Sequence, residues 1–341
     1  MLVEDLLNLD TYNYSLPKEL IAQYPLENRD NSRLLCYKKD IDAISHKRFY
    51  ELEDYIFEND VLVLNNTKVI PARFYADTES GKKIEILLVA SVNSDNLVWK
   101  ILASPRKYLK KTNKLFLPEH KIEINVIDSE TINFNDINHL ETILNKAGQM
   151  PLPPYIKRQS ESIDVERYQT VFAKEPGAVA APTASLHFTN ELLEKIKRKG
   201  AEILFITLHV GPGTFLPIRT NNISEHRLIP ETYYIEQEVW QKLLVAIENK
   251  KRIIACGTTT VRTLEYAACV QKLSGLTNLY ITPEFKFQIV DSLITNFHLP
   301  KTTLLVLVSA FVGWERVKKI YLEAIEERYR FFSYGDVMFI T

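Results

Sequence analysis

The chain has 341 residues, 46% hydrophobic and 25% charged, a composition that excludes global disorder and fits an ordinary soluble globular protein. Lys and Arg number 42 against 43 Asp and Glu, so a histone-like polycation is excluded, while nucleic acid held on a local basic face is not. The length exceeds what one hydrophobic core usually fills and predicts two domains.

In chain order, Pro17 to Ala22 carries an amphipathic helix signal with proline suited to the first turn. Pro25 to Ser32 is polar and turn-like, and Val61 to Leu64 reads as a buried strand. From Ala72 short β-rich runs recur, among them Lys83 to Val89 and Leu97 to Leu102, separated by turn residues. That pattern predicts a small antiparallel barrel or sandwich. Beyond Pro151 strands and helices alternate. A helix is expected over Glu191 to Lys199, a strand over Glu202 to Leu208 and a helix over Gln237 to Asn249. A strand over Arg252 to Cys256 and a helix over Val261 to Ala268 follow. The expected fold class is α/β, a layered α/β/α main domain (residues 1–71 and 149–341) with an inserted antiparallel β-barrel domain (72–148).

Three separated cysteines, Cys36, Cys256 and Cys269, predict reduced thiols in a cytoplasm. The acidic start MLVEDLLNLD does not fit a signal peptide, and Leu304 to Trp314 is too short for a membrane span. HExxH, CxxC, GxSxG and Walker patterns are missing, so no metal or P-loop chemistry is predicted. A monomer is expected, since no heptad repeat is present.

Five segments have the residue types of a site. Arg29-Asp30-Asn31-Ser32-Arg33 offers two guanidinium forks to a phosphate or purine, or else a turn with a surface ion pair. Ala180 to Phe188 combines small residues with Thr183 and His187, where backbone can approach a ligand and a histidine can move a proton. His209-Val210-Gly211-Pro212-Gly213-Thr214 follows a predicted strand, the place where open α/β sheets bind ligands. Gly257 to Glu265 brings Thr258, Thr259 and Arg262 to a helix start with free N–H donors, or simply caps that helix. Thr295 to Thr303 sets Asn296 and His298 between strongly apolar segments. Basic clusters at Arg106-Lys107, Lys110-Lys111 and Lys114, and at Lys195, Lys197, Arg198 and Lys199, suit a nucleic-acid backbone or a solvated face. From the residues alone the chain reads as an α/β enzyme with loops suited to a nucleoside.

Taken together, these segments resemble the S-adenosylmethionine:tRNA ribosyltransferase-isomerase family of queuosine biosynthesis. Leu16 to Gln23, Val63 to Arg73, Pro151 to Ile156, Arg167 to Val171, Leu293 to Ser309 and Tyr329 to Asp336 carry the likeness further. Two positions depart from it: Ser185 stands where the family usually has glycine, and Ile229 where a histidine is usual. The resemblance implies that S-adenosylmethionine gives its ribosyl part to 7-aminomethyl-7-deazaguanine in tRNA. Rearrangement to an epoxycyclopentanediol then releases adenine and methionine, with no cofactor beyond S-adenosylmethionine as co-substrate. Within that reaction His209 and His298 are the preferred acid/base candidates, because each sits in a Gly- or Pro-flanked loop at a predicted strand end. Thr258, Thr259 and Arg262 are expected to hold the ribose or methionine carboxylate through helix N-terminal donors. Arg29, Asp30 and Arg33 are expected to read tRNA or the base, with Tyr334 and Asp336 as further site members. Thr183, His187, Gly211, Gly213, Thr214 and Asn296 complete the expected substrate contacts. A competing reading is an S-adenosylmethionine-dependent tRNA methyltransferase, which would release S-adenosylhomocysteine; a non-catalytic tRNA-binding protein would release nothing.

Overall fold

The computed structural model describes residues 5–93, 95–215 and 217–341, apart from the side chains of Thr214 and Phe215. In chain order the first strands are β1 (Arg33–Lys38), β2 (Ala43–Arg48), β3 (Asp60–Asn65) and β4 (Thr67–Val69). Strands β5 (Arg73–Thr78), β6 (Lys83–Ser91), β7 (Val98–Ser104), β8 (Lys114–Leu117), β9 (Ile122–Asp128) and β10 (Thr131–Phe134) follow. The remaining strands are β11 (Glu175–Ala178), β12 (Glu202–Leu208), β13 (Glu231–Tyr234), β14 (Arg252–Cys256), β15 (Ser274–Thr277), β16 (Ser292–Asn296) and β17 (Val337–Ile340). Three short helices, α1 (Arg106–Leu109), α2 (Ile137–Thr142) and α3 (Ser162–Arg167), precede the five longer ones. Those are α4 (Asn190–Arg198), α5 (Gln237–Glu248), α6 (Thr258–Val270), α7 (Thr303–Val312) and α8 (Trp314–Glu326).

Nine strands form one sheet in the order β15-β13-β12-β3-β14-β16-β17-β1-β2. Its centre, β12, β3, β14 and β16, is parallel throughout. Every residue of β3 is buried, which is why its Val61–Leu64 stretch reads as an unbroken apolar run with no alternation. Successive side chains instead feed two cores. Val61, Val63, Ile253, Ala255 and Met338 point into the core beneath α5, α6, α7 and α8. Leu62, Leu64, Ile254, Cys256 and Phe339 point to the opposite core beneath α4 and the 3-10 segment Phe49–Tyr55. The sheet is therefore the middle of three layers. Helix α4 illustrates how sequence sets such a layer: Thr189 caps the Leu192 amide at 3.1 Å, and Leu192, Leu193 and Ile196 form its buried face. Each such leucine contributes about 2 kcal/mol on burial.

Strands β5 to β10 close into a six-stranded barrel in the order β10-β7-β6-β5-β8-β9 around its own core of Phe74, Ile86, Ile124 and Phe134. Arg73 and Gln149 exchange two backbone hydrogen bonds, of 3.3 and 2.7 Å, where the chain enters and leaves this region. Beside that point β4 and β11 pair in parallel.

Strands β12 and β14 occupy the residues that sequence pattern predicts, but two helix expectations differ. Pro17 to Ala22 holds only the 3-10 turn Lys18–Leu20, because the chain runs on extended and Ile21 bridges Phe331. Helix α6 starts at Thr258, three residues before the expected Val261, so the threonines are its first turn and not a loop.

Candidate functional site

The four parallel strands end on one edge of the sheet, and there the polar segments converge. Asn65, at the end of β3, ties this edge together. Its Oδ1 accepts from the amides of Thr67 and Leu208, both at 3.1 Å, and its Nδ2 donates to the Leu208 carbonyl at 3.0 Å. That same amide lies 3.4 Å from Thr259 Oγ1. The polar pair Asn65-Asn66 closing an apolar run was the available signal for this residue, which sequence reasoning passed over.

A cavity of ≈ 480 Å³, counting the space at its mouth, opens at these strand ends. Thr183 and Ala184 line one side, Thr258 and Thr259 a second, and Thr295, Asn296 and His298 a third. Tyr155, Leu304 and Ser333 also form part of the wall, with apolar Val210 and Phe332. The Tyr155 and Ser333 hydroxyls are hydrogen-bonded to each other, and although both lie in segments that carry the family likeness, neither is singled out by sequence reasoning as a site residue. Gly257, at φ +89°, precedes α6 and no side chain caps the helix, so simple capping does not explain its threonines. Thr260 and Thr263 instead donate back to carbonyls one turn earlier, at 2.6 and 2.9 Å. Thr183 Oγ1 donates to Asn296 Oδ1 at 2.7 Å, and Asn296 Nδ2 reaches the Asp336 carbonyl at 3.3 Å. No charged side chain lines this cavity among the described residues. Its amides, hydroxyls and apolar walls suit a neutral nucleoside.

His298 is fixed on three sides. Its Nε2 is 2.9 Å from Thr295 Oγ1, its amide donates to the Tyr321 hydroxyl at 3.0 Å, and Tyr14 donates to its carbonyl. Burial pushes its imidazole down to about 3, so it is neutral at pH 7. His209 lies elsewhere. Its Nδ1 is 2.8 Å from Thr67 Oγ1, and burial lowers its pKa while Glu175 partly opposes that. Its ring packs on Gly177, where a Cβ would come within 3.0 Å of it. Of the two acid/base candidates, only His298 lines the cavity.

Leu304 also borders a second cavity, of ≈ 370 Å³, with Gly213, Ile229, Glu231, Arg262 and Tyr280 in its wall. Arg262 Nη1 donates to Glu231 Oε2 at 2.5 Å and Nε to the Leu279 carbonyl at 2.9 Å, while Glu231 Oε1 accepts the Gly211 amide at 2.8 Å. Arg262 Nη2 and the Tyr280 hydroxyl are buried without a hydrogen-bond partner among the described residues. Ile229 packs on Gly213, so this chain offers an aliphatic surface there. Thr214 has its side chain outside the described residues.

Ser333 joins the first cavity to a third, of ≈ 280 Å³, lined by Arg29, Ser32, Arg167, His187 and Tyr334. Arg29 is engaged there with backbone: its guanidinium donates to the carbonyls of Gln169, Leu186 and Glu166 at 2.8, 3.1 and 2.8 Å. Tyr334 donates to Asp164 at 2.7 Å, and Arg158 holds the same carboxylate at 2.6 and 2.8 Å. Arg33, Asp30 and Asp336 line none of the three cavities. Arg33 stacks 3.8 Å over the Tyr329 ring. Asp336 accepts the amides of Arg33 and Arg330, each at 2.8 Å, and thereby fixes the loop entering β17, while burial raises its carboxyl. Asp30 is half-buried in the 3-10 turn Arg29–Asn31. The fully buried Ser185 donates to Cys256 Sγ at 3.3 Å, which shows how the chain accommodates serine at a position usually glycine.

Of the basic clusters, Arg106, Lys114, Lys195, Lys197 and Lys199 each sit beside a carboxylate. Among the described residues no group of three or more His, Cys, Asp or Glu could hold a metal ion, and no helix is long and apolar enough to cross a membrane.

Comparison with known proteins places the chain in a family. The family model described as "Queuosine biosynthesis protein" matches residues 9–340. The S-adenosylmethionine:tRNA ribosyltransferase-isomerase of Carboxydothermus hydrogenoformans is 48% identical, over 98% of this chain and 100% of that protein. That of Aquifex aeolicus is 45% identical, again over 98% and 100%. A crystal structure of S-adenosylmethionine tRNA ribosyltransferase from Thermotoga maritima superposes with a TM-score of 0.56 at 36% identity, covering 97% of this chain and 100% of that one. The chain belongs to the queuosine biosynthesis family of S-adenosylmethionine:tRNA ribosyltransferase-isomerases.

Proposed function

We propose that this enzyme transfers the ribosyl part of S-adenosylmethionine to the aminomethyl group of 7-aminomethyl-7-deazaguanine at the tRNA wobble position. It then isomerises the sugar to an epoxycyclopentanediol, with release of adenine and methionine. We take residues 1–71 and 149–341 as the catalytic domain and 72–148 as an inserted domain. The enzyme acts as a cytoplasmic monomer with no cofactor beyond its co-substrate.

The observation that carries the reading is the adjacency of an uncharged, hydroxyl-rich cavity to one walled by a buried Arg–Glu pair. S-adenosylmethionine has the same division, a neutral nucleoside at one end and a zwitterionic amino acid at the other. The adenosyl group sits against Thr183, Thr258, Thr259 and Asn296. The methionyl end reaches towards Arg262, whose free Nη2 meets the carboxylate, with Glu231 facing the amine.

The sulfonium stabilises negative charge developing on the carbon beside it, which makes that carbon the site of deprotonation. His298, neutral at pH 7 and held by Thr295, is the acid/base candidate that lines this cavity, although the burial that lowers its pKa also makes it a weak base. His209 supports the loop from outside the cavity, through Thr67 and Gly177.

A product assay tests the whole reading. S-adenosylmethionine and tRNA bearing 7-aminomethyl-7-deazaguanine should yield adenine, methionine and a matching mass gain on the tRNA. S-adenosylhomocysteine in their place would mean methyl transfer and would overturn it.

A further inference from the structure

The third cavity has an electrostatic character that the ribosyl transfer does not use. Ser32 is 1% exposed and His187 5% exposed, both line it, and neither Ser32 Oγ nor His187 Nε2 has a hydrogen-bond partner among the described residues. Arg167 Nε, in the same wall, is likewise buried and unpartnered. Just outside, Arg330 Nη1 is a buried donor that likewise has no partner among the described residues, whereas His187, neutral and hydrogen-bonded to the Arg29 backbone, turns an acceptor nitrogen to the space. The backbone turn that carries Arg330 packs so tightly that a Cβ on Gly335 would lie 2.4 Å from the Arg330 carbonyl oxygen.

Three positive charges bear on this space. Arg29, Arg167 and Arg330 all act electrostatically on His187 and lower its pKa, after the larger effect of burial. Arg29 and Arg167 are anchored through backbone carbonyls, at Gln169, Leu186, Glu166 and Glu27, so no side-chain carboxylate cancels their charge in those bonds. Glu166 acts on Arg29 and Asp336 on Arg330, so the positive field is only partly offset, and the buried Ser32 hydroxyl and Arg167 Nε without acceptors beneath it are costly unless an anion completes them.

We infer that this cavity is a subsite for one backbone phosphate of the tRNA strand that brings the wobble base to the neighbouring cavity. The inference rests on the tRNA-modifying reading of the chain. Its position supports that role. Ser333 is common to this cavity and to the one assigned to the adenosyl group, so a phosphate fixed here sets the register of the attached nucleotide against the ribose. Half-exposed Pro25 and Leu26 at the rim leave a strand room to approach. A phosphodiester accepts hydrogen bonds at its non-bridging oxygens, matching Ser32 Oγ and Arg167 Nε.

The experiment measures binding of an RNA stem-loop carrying 7-aminomethyl-7-deazaguanine at the wobble position, over a series of KCl concentrations. Arg167→Gln should weaken binding about tenfold and reduce the slope of log affinity against log salt by roughly 0.7, the share of one phosphate on a single strand. Ser32→Ala, a small change that guards against misfolding, should weaken binding about tenfold with the slope intact. In both variants the KM for S-adenosylmethionine should stay at the wild-type value. Single methylphosphonate substitutions should reveal one RNA position that penalises wild type and leaves Arg167→Gln unaffected. Folded variants with wild-type RNA affinity and slope would overturn the subsite and leave the ribosyl-transfer reading standing, as would a raised KM for S-adenosylmethionine with RNA binding unchanged. A wild-type protein that did not bind the RNA at all would overturn both.

Discussion

Arg262 and Glu231 form an ion pair of 2.5 Å while their side chains are only 6% and 5% exposed. Breaking such a pair from one side leaves an uncompensated buried charge, at about 3–5 kcal/mol. Glu231→Gln should therefore unfold at markedly lower urea than wild type. The double variant Glu231→Leu, Arg262→Met removes both charges and should recover most of that loss. If the pair also holds the methionyl end of the substrate, the double variant keeps a KM for S-adenosylmethionine raised at least about tenfold. Recovery of stability and KM together would leave the pair a purely structural role.

Acid should destabilise the protein early. His187 and His298 are both held at about 3 by burial, against an ordinary value of about 6.5. Between those values the unfolded chain takes up protons that the folded chain refuses. Their stabilisation is thus complete above pH 6.5 and is lost as pH falls towards 3, at roughly 1.4 kcal/mol per unit for each histidine. Urea titrations from pH 7.5 to 4.5 measure it. His187→Asn should make the profile shallower by one proton, and a profile already flat in wild type would contradict the assignment.

Asp164 is fully buried and receives four hydrogen bonds, two from Arg158 and one each from Tyr334 and the Glu161 amide. Asp164→Asn removes the charge opposite Arg158 and puts an amide donor against other donors. A loss of about 3 kcal/mol is expected, with Tyr334→Phe losing about 1 kcal/mol. Thermal melts of the two variants test the ranking; equal losses would contradict it.

Ser185→Gly restores the residue usual in the family. It removes the hydroxyl bonded to Cys256 and frees the unfolded backbone, so stability should fall by about 1 kcal/mol. Turnover should remain within about twofold of wild type, because neither Ser185 nor Cys256 lines a cavity described above. A tenfold change in kcat would place Ser185 in the reaction.

Much of the architecture was legible because the central strands are buried on both faces. Glu202–Leu208 and Arg252–Cys256 are apolar runs that end at turn signals, and both are strands with those bounds. The outer strands Glu231–Tyr234 and Ser274–Thr277 carry Glu, Thr, Ser and Gly, and their pairing depends on partners distant in sequence. The polar segments were visible as candidates, and Thr183, Thr258, Thr259, Asn296 and His298 do share one cavity. Tyr155 and Ser333 escaped notice because each looks like packing until the fold brings their hydroxyls together. Arg262 was visible, but not its pairing with Glu231, which lies 31 residues away.

The crossing at Arg73 and Gln149, held by two backbone hydrogen bonds, makes the β-barrel a side branch of the polypeptide path. The route through the main sheet departs and resumes at adjacent points, so the intervening segment can lengthen, shorten or drift in sequence without shifting the strand ends that shape the cavities. The two regions can accordingly answer to different evolutionary pressures, coupled mainly where Val179 of the main domain packs into the barrel core.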